Sequence, residues 1–382
     1  MHVVHLTASS FFGGPERQIL GLGAALPSPF RSSILTFSEG GRCRTFLDEI
    51  AAAGLDGVEL RADFPRIRAA VREVTRFLID LRADVLVTHG YKSNLLGRPA
   101  ARRAGVPIVS VSRGWTGENL KVRAYEWVDR AHLRFMDRVV CVSEGQAEKV
   151  RRTGVRPENM RVIHNGSRLD SFTTRDPADR GELRAIAGGD GPIVLAAGRL
   201  SPEKGFRVLV EAAASMVAEH PAVRFVVFGE GPERSALEAR AQAVGLADHF
   251  RLVGFRKDLD ALIPWADVVA IPSFTEGLPN VALEAGAAAV PVVATAVGGI
   301  PEVIADCETG LLVPPGKPEA LAERLLRVVR SRSLAHRLGV AARRRMEERF
   351  SFAAQATAYV ELFEELRATG RRAGRRTPPG SE

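Results

Sequence analysis

The chain has 382 residues, and 46% of them are hydrophobic, which is enough for two α/β domains with ordinary cores. Lys and Arg number 53 against 45 Asp and Glu, and the net charge of +8 favours anionic partners: sugar nucleotides, anionic lipid surfaces or nucleic acid. Aromatic residues make up only 6% of the chain and no RNP or zinc-finger pattern occurs, so a nucleic-acid partner is not expected.

The first half alternates short apolar runs with helical stretches. This alternation predicts a doubly wound parallel sheet in a first domain over residues 1–170. Two of its helices are expected at 66–81 and 95–104. The predicted strands are 2–7, 33–37, 57–60, 84–88, 107–111, 138–142 and 161–164.

Three strand ends in this half carry residues that point to a ligand. Gly13 and Gly14 let backbone approach a ligand where a helix starts, although a simple tight turn uses the same residues. His89 ends a strand at the sheet edge where ligands bind, and three roles are open: a base, an acceptor contact or a cap on the loop. Arg113 follows the next strand and could clamp a phosphate or a carboxylate.

The second half repeats the strand–helix pattern. A polar segment over 171–190 indicates a linker with a short helix at 178–187, and a second doubly wound domain is predicted over 191–350. A last helix is expected within 351–368, and the arginine-rich tail over 369–382 is expected to be disordered. The predicted strands of this half are 193–197, 224–228, 250–253, 268–271, 292–294 and 310–313.

One loop of the second half has the charges that a diphosphate needs. Arg199 and Lys204 lie between two glycines, directly after a predicted strand. Together they offer positive charge and close backbone approach. Two solvated surface cations are the alternative interpretation.

Two glutamates enclose a turn at the start of a predicted helix. Glu276 stands in the loop after an apolar strand, and Glu284 lies just over one turn inside the helix. Helix N-termini attract phosphate, and a carboxylate deeper on the helix can accept hydrogen bonds from a ribose. An ordinary turn with two surface glutamates is the alternative. The turn itself consists of Gly277, Leu278, Pro279 and Asn280.

The paired-glutamate segment resembles the motif of glycosyltransferase family 4, retaining enzymes that use nucleotide-activated sugars. Gly13-Gly14-Pro15-Glu16 and the basic loop at 198–205 match further motifs, in the family's order, over about residues 1–365. The resemblance implies the GT-B fold, an α/β architecture with two doubly wound Rossmann-like domains facing a central cleft. It also implies that the last helix crosses back to the first domain.

The resemblance further implies roles for single residues. The expected catalytic set is Arg199 and Lys204 on the leaving diphosphate, Glu276 on the transferred sugar, and His89. Glu284 is expected to hold the ribose, and the backbone of the loop that contains Phe255 and Arg256 is expected near the nucleotide base. The residues expected to bind the sugar donor are Gly13, Gly14, Gly229, Phe255, Arg256, Gly277, Leu278, Pro279, Asn280 and Glu284.

Arg113 departs from the family pattern, because many relatives carry a histidine near the reacting sugar at this place. Arginine keeps its charge at neutral pH and cannot take up a proton, so the role of that histidine does not carry over. We expect an acceptor-side contact from Arg113 instead. An enzyme remains compatible with this change, because the leaving diphosphate can itself accept the proton of the acceptor.

These features predict a retaining glycosyltransferase. It would move a hexosyl group from a nucleotide-diphosphate sugar to a glycan, lipid-linked or small-molecule acceptor, as in the biosynthesis of cell-envelope polysaccharides. A sugar-nucleotide epimerase of the same fold and a non-catalytic sugar-nucleotide-binding protein are the alternatives. No Asp-x-Asp motif stands at a loop expected to bind the sugar donor, so neither a metal nor another cofactor is implied.

Cysteine usage and hydropathy predict the location. Cys43, Cys141 and Cys307 form no CxxC pair, which indicates a reducing cytoplasm. No apolar run reaches the ~18 residues that a membrane span needs. Contact with the anionic inner face of the cell membrane is expected through the helix at 65–82, and the alternative is a solvated helix whose apolar residues pack on the sheet. The residues expected to make this contact are Arg66, Arg68, Arg72, Arg76 and Arg82, with Phe64, Ile67, Val71, Phe77 and Leu78.

Overall fold

A computed structural model describes residues 1–115, 120–172 and 177–373 of the chain. Within these ranges the protein forms two parallel sheets, one of seven strands and one of six, each flanked by helices. The predicted pair of doubly wound α/β domains is therefore confirmed.

The first domain holds the seven-stranded sheet. Its strands are β1 (His2–Thr7), β2 (Arg31–Phe37), β3 (Asp56–Leu60), β4 (Val85–His89), β5 (Ile108–Ser112), β6 (Arg138–Cys141) and β7 (Met160–Val162). Its helices are α1 (Gly14–Ala25), α2 (Arg44–Ala52), α3 (Ile67–Asp80), α4 (Tyr91–Ala104), α5 (Leu120–Leu133) and α6 (Glu144–Arg151). The strand order is β3–β2–β1–β4–β5–β6–β7.

The second domain holds the six-stranded sheet in the order β10–β9–β8–β11–β12–β13. Its strands are β8 (Ile193–Ala197), β9 (Arg224–Phe228), β10 (Phe250–Gly254), β11 (Val268–Ile271), β12 (Val292–Thr295) and β13 (Leu311–Val313). Its helices are α7 (Pro177–Ala187), α8 (Phe206–Glu219), α9 (Arg234–Ala243), α10 (Leu259–Leu262), α11 (Asn280–Ala287), α12 (Ile300–Val303), α13 (Pro318–Val329) and α14 (Arg332–Arg349).

Both sheets reverse their strand order beside the first strand of the domain. In the first sheet β1 lies between β2 and β4, and in the second β8 lies between β9 and β11. All of these pairings are parallel. Ligands of doubly wound sheets bind outside the carboxyl ends of the strands at this reversal. The fold therefore predicts a ligand-binding site at the loops that follow β1, β4, β8 and β11.

The last helix, α15 (Phe352–Ala373), lies against the first domain. The chain reaches it through a crossing where the N–H of Ser167 donates to the carbonyl of Phe350 at 2.8 Å. Further along α15, the ring of Phe363 packs against that of Phe30 with a centroid distance of 6.4 Å. The helix continues through 369–373, which the sequence predicted to be disordered, and the remainder of that predicted tail lies outside the described residues.

Helix α4 and the segment that contains helix α7 differ from the sequence prediction in ways that bear on the fold. Helix α4 begins at Tyr91 rather than at 95, because Gly90, with φ +88°, turns the chain directly from β4 into the helix. Helix α7 lies in the predicted linker, yet its Leu183 and Ala187 are fully buried and the helix packs against β9 and β10. This helix is therefore part of the second domain. No helix among the described ranges is both long and apolar enough to cross a bilayer.

Candidate active site

Loops of the two domains meet directly at the predicted site. A Cβ atom added to Gly14, after β1, would lie 2.5 Å from Nδ2 of Asn280 at the start of α11. One added to Gly277 would lie 2.0 Å from the carbonyl oxygen of Arg113, after β5. At Gly277 only a residue without a side chain permits this approach to the partner backbone, whereas Gly14 leaves room for the Asn280 side chain.

Lys204 and Glu276 form the charged centre of the second domain's half of the site. The Lys204 ammonium donates to Oε1 of Glu276 at 2.7 Å, and the Ser273 hydroxyl donates to the same oxygen at 2.7 Å. Glu276 is only 9% exposed, whereas Lys204 is half-buried. The structure thus brings together a cation from the β8 loop and a carboxylate from the β11 loop, which lie in two separate sequence motifs.

The basic loop rests on the glycine loop that follows β9. A Cβ added to Gly229 would lie 1.8 Å from the carbonyl oxygen of Gly198, and one added to Gly231 would lie 2.3 Å from that of Leu200. These two glycines are required for packing between loops, which the sequence did not predict. Arg199 follows Gly198 directly, and its side chain is exposed.

The turn before α11 is fixed from the first domain. The Asn165 side-chain amide donates to the carbonyl of Leu278 at 3.2 Å and to Oδ1 of Asn280 at 3.1 Å. The Gln18 amide also donates to Oδ1 of Asn280, at 3.2 Å. Pro279 has extended backbone angles and immediately precedes the helix. These contacts hold the helix N-terminus beside the Gly14 loop.

Glu284 faces a cavity of about 200 Å³ at the junction of the two domains, lined also by Arg17, Asn280 and Lys257. Nη1 of Arg17 lies 3.4 Å from Oε1 of Glu284, and Nη2 donates to the carbonyl of Lys257 at 2.6 Å. Burial raises the pKa of Glu284. The sequence assigned the Glu284 carboxylate to a ribose. Arg17 therefore lies where a ribose hydroxyl would donate to that carboxylate.

The loop after β10 presents Phe255 and Arg256 differently. Phe255 is exposed, and Arg256 forms ion pairs with Asp258 at 2.6 Å and with Glu182 of α7 at 2.8 Å. The Arg256 side chain is thus engaged within the second domain. This agrees with an assignment that relies on the backbone of the loop rather than on its side chains.

His89 lies in a chain of buried hydrogen bonds. Its Nδ1 is 2.9 Å from Nη1 of Arg113, and its Nε2 is 3.0 Å from Nδ1 of His5. A guanidinium can only donate, so Nδ1 of His89 accepts and the proton of His89 lies on Nε2. Burial, followed by the charge of Arg113 and the proximity of His5, holds the pKa of His89 well below 6.5. Because Nδ1 is already engaged with Arg113, this geometry disfavours the role of a base, and the acceptor contact and the cap on the loop stay predictions.

His5 and Arg113 complete this chain. Burial, with Arg113 nearby, lowers the pKa of His5 to about 3. The half-buried Arg113 keeps its Nε without a hydrogen-bond partner within the described ranges. The guanidinium therefore contacts a neutral imidazole and, in the part of the chain that is described, forms no ion pair.

Sequence reasoning did not single out Arg17, Gln18 or Asn165. Arg17 and Gln18 lie four residues after Gly13 and Gly14, on the next turn of α1, and this spacing is a signal that could have found them. Asn165 precedes Gly166 in a pair typical of turns, and no local pattern indicates that it reaches α11. Within residues 1–115, 120–172 and 177–373, no group of three or more His, Cys, Asp or Glu side chains could hold a metal ion.

Comparisons with known proteins show which family the chain belongs to. The family model described as "Glycosyl transferase 4-like domain" matches residues 13–166, and the model "Glycosyl transferases group 1" matches residues 182–345. The chain is 32% identical to the α-maltose-1-phosphate synthase of Mycolicibacterium smegmatis over 346 residues, 82% of this chain and 89% of that protein. It is also 32% identical to the D-inositol 3-phosphate glycosyltransferase of Streptomyces scabiei, over 73% of this chain and 67% of that one.

A solved structure supports the fold. Anabaena HepE in complex with UDP-glucose superposes with a TM-score of 0.85 at 22% identity, over 96% of this chain and 100% of that one. The two-domain architecture is that of the GT-B glycosyltransferases, as the sequence predicted. The chain belongs to glycosyltransferase family 4, and the protein is a retaining glycosyltransferase. The epimerase and the non-catalytic binding protein are not favoured, because the relatives named above carry the names of sugar-transferring enzymes or synthases.

Proposed function

We propose that the enzyme transfers a hexosyl group from a nucleotide-diphosphate sugar to a glycan, lipid-linked or small-molecule acceptor. The observation that carries this proposal is the Lys204–Glu276 contact beside the start of α11. A cation, a carboxylate and a helix N-terminus converge there. The cation and the helix N-terminus suit a diphosphate, and the carboxylate suits sugar hydroxyls.

The sugar donor spans the second domain from the β8 loop to the β10 loop. Its diphosphate binds Arg199, Lys204 and the first N–H groups of α11, with Gly13 and Gly14 closing over it from the first domain. Its ribose takes the place of Arg17 on Glu284 in the cavity at the domain junction. Its base lies along the backbone of the loop that contains Phe255 and Arg256. The loop that contains Gly229 packs against the basic loop at Gly198.

Transfer breaks the bond between the anomeric carbon and the diphosphate oxygen, and the acceptor oxygen bonds to the same face of the sugar. Arg199, Lys204 and the α11 N-terminus stabilise the charge that grows on the leaving diphosphate. Lys204 has three N–H donors, so it can contact a phosphate and keep its contact with Glu276. Glu276 orients the sugar through its hydroxyls.

The leaving diphosphate takes the proton of the acceptor. His89 is unsuited to this step, since its Nδ1 already accepts a hydrogen bond from Arg113. His89 instead positions the Arg113 guanidinium, which faces the acceptor side and suits an acceptor that carries a phosphate or a carboxylate. The cations named above supply the charge that a metal supplies elsewhere, so we expect turnover without a divalent ion.

The enzyme contacts anionic membranes peripherally, on the inner face of the cell membrane. The five arginines predicted for this contact, on and beside α3, are all exposed. The apolar part of the prediction was wrong for Val71 and Leu78, which are buried against the sheet, and Phe77 is half-buried; Phe64 and Ile67 are exposed. The attraction at α3 is therefore mainly electrostatic, and salt should weaken it.

A panel of UDP-, GDP- and ADP-sugars tests the proposed function. Thermal shift identifies the nucleotide that binds, and release of the nucleoside diphosphate in the presence of candidate acceptors measures transfer. We expect one nucleotide class to stabilise the protein and to be consumed. Formation of a sugar isomer without nucleotide release would indicate an epimerase, and stabilisation without turnover across all acceptors would indicate a binding protein.

A further inference from the structure

Helix α5 of the first domain exposes large apolar side chains that the proposed reaction does not use. Trp127 is 70% exposed and Val128 is 40% exposed, and the ring of Phe135 in the turn after the helix is also largely exposed. Tyr125 of α5 and Tyr91 of α4 are exposed too, and their rings stack at 4.8 Å. Trp127 and Val128 lie on the outer side of α5, and Tyr125, three residues before Val128, lies on the adjoining side toward α4; with Phe135 and Tyr91 they are termed the α5 face. Single exposed apolar residues are ordinary, but five together indicate an interaction surface.

The charges of α5 are sorted between its two sides. Its acidic residues turn inward: Glu126 is buried, and Asp129 accepts hydrogen bonds from Asn94 at 2.6 Å and from Trp115 at 3.2 Å. Leu133 is buried on the same side. The outer side of α5 therefore carries apolar and arginine side chains. Its apolar residues share one side of the helix because they are three or four residues apart: Ala124, Trp127, Val128 and Ala131.

Arginines border the α5 face. Arg123, Arg130 and Arg134 are exposed, and they stand seven and four residues apart along one edge of the outer side. The guanidinium carbons of Arg98 and Arg134 lie 4.6 Å and 4.8 Å from the centroid of the Phe135 ring. A belt of aromatic rings flanked by guanidinium groups matches the headgroup region of an anionic bilayer, where rings bury their apolar edges and arginines meet phosphates.

The position of the face agrees with such a partner. Buried residues of α3, α4 and α5 share one core cluster, so the three helices form one layer on the same side of the first sheet. The exposed arginines of α3 and the α5 face therefore belong to one surface. Tyr91 lies two residues after His89, so the face begins beside the acceptor side of the cleft.

We propose that the α5 face inserts its aromatic side chains into the headgroup region of an anionic bilayer, with α3 attracting the same surface electrostatically. The inference rests on the membrane contact proposed above and adds to it the part of the protein that enters the lipid. It places the mouth of the cleft at the membrane surface, where a lipid-linked acceptor would be presented.

Vesicles of phosphatidylglycerol and phosphatidylcholine in equal amounts, with bromine on the acyl chains, test the proposal through tryptophan fluorescence. We expect bromolipid to quench the wild-type protein, and the quenching to be lost in Trp127→Phe, which keeps Trp115 and Trp265. Val128→Asp should weaken cosedimentation with the vesicles about tenfold, because it places a carboxylate among anionic headgroups. Val340→Asp is the matched control: Val340 is 52% exposed on α14 of the second domain, and we expect unchanged binding.

The outcomes separate this inference from the proposed function. Vesicle binding with equal quenching in wild type and Trp127→Phe would show attachment by another surface, such as α3, and would overturn the inference alone. A concentration-dependent dimer without lipid, abolished by Val128→Asp, would assign the face to a second copy of the chain and also overturn it. Nucleotide release from a water-soluble acceptor, measured without vesicles, reports the transfer reaction independently of either result.

Discussion

Substitution of Gly277 by alanine should hold the two domains apart. The backbone of Gly277 is not left-handed, so alanine fits its own domain, but the new Cβ would lie 2.0 Å from the carbonyl oxygen of Arg113. Ordinary contact begins at 3.4 Å, so the loops must separate by about 1.4 Å there (3.4 minus 2.0). Glu302, which accepts from the N–H groups of Glu144 and Gly145 at 2.9 and 3.1 Å across the same interface, would then lose both hydrogen bonds.

The loss of activity in Gly277→Ala can be sized from the usual cost of overpacking. Overpacking of this kind costs about 1–3 kcal/mol. A cost of about 1–3 kcal/mol shifts the closing equilibrium by roughly 5- to 150-fold, because 1.4 kcal/mol corresponds to a factor of ten. If closure is needed for transfer, kcat/KM for the sugar donor should fall by about the same factor. The radius of gyration from small-angle scattering should rise.

Gly181→Ala is the matched control. Gly181 lies in α7, its φ is not positive, and an added Cβ would meet no atom within 4 Å. We expect this variant to keep wild-type activity and scattering. Turnover of Gly277→Ala within threefold of wild type, with an unchanged radius of gyration, would refute the argument that this close approach sets the closed state.

Four further predictions address the chemistry. Lys204→Ala and Glu276→Gln should each lower kcat by about 10²–10³-fold, and the double variant should lower it little more. Arg240→Ala, which breaks an exposed ion pair of the same domain, is the control and should leave kcat unchanged. Near-normal nucleotide release from both single variants would contradict the site. Arg113→His should retain part of the activity, and a dead variant with normal sugar-donor binding would give arginine its own role. The folded pKa of His5, about 3, lies below the unfolded value near 6.5, so its contribution to stability is lost as pH falls from 6.5 towards 3. Between pH 7.5 and 5 this loss is about 2 kcal/mol in urea unfolding, and His5→Gln should remove it; equal pH dependence in both proteins would exclude it. Turnover should survive EDTA, and loss that Mg²⁺ restores would establish a metal requirement.

The strands were predictable because of their environment. Strands covered on both faces are continuous apolar runs, and β8 and β9 were predicted with the bounds that the structure gives them. The charged loops were predictable for a related reason, since Arg199 and Lys204 directly follow such a run. Local sequence therefore carried both the sheet and the residues at its carboxyl edge.

The contacts between domains were not predictable from the same evidence. Gln18 and Asn280 are 262 residues apart, and nothing in either local pattern indicates the partner. The pairing of His89 with His5 needs the register of β1 against β4, in which Thr7 lies beside His89. Gly229 shows the same limit, because its role depends on the carbonyl of Gly198 in a neighbouring loop. Such roles follow from tertiary proximity, which single-sequence patterns do not encode.

We expect binding of a sugar donor to be coupled to the contacts that join the two domains. Arg17 of the first domain holds Glu284 and the carbonyl of Lys257, both in the second domain. If Glu284 accepts hydrogen bonds from a ribose, the nucleotide replaces the Arg17–Glu284 contact between the domains. The nucleotide must then make new contacts with the first domain to keep the domains together. Gly14 and Arg17 belong to the same helix, so a diphosphate that contacts the Gly14 loop restores the connection a few ångströms away. The free energy of closure is then set by the difference between these two sets of contacts, and a nucleotide without its second phosphate should bind to a more open protein.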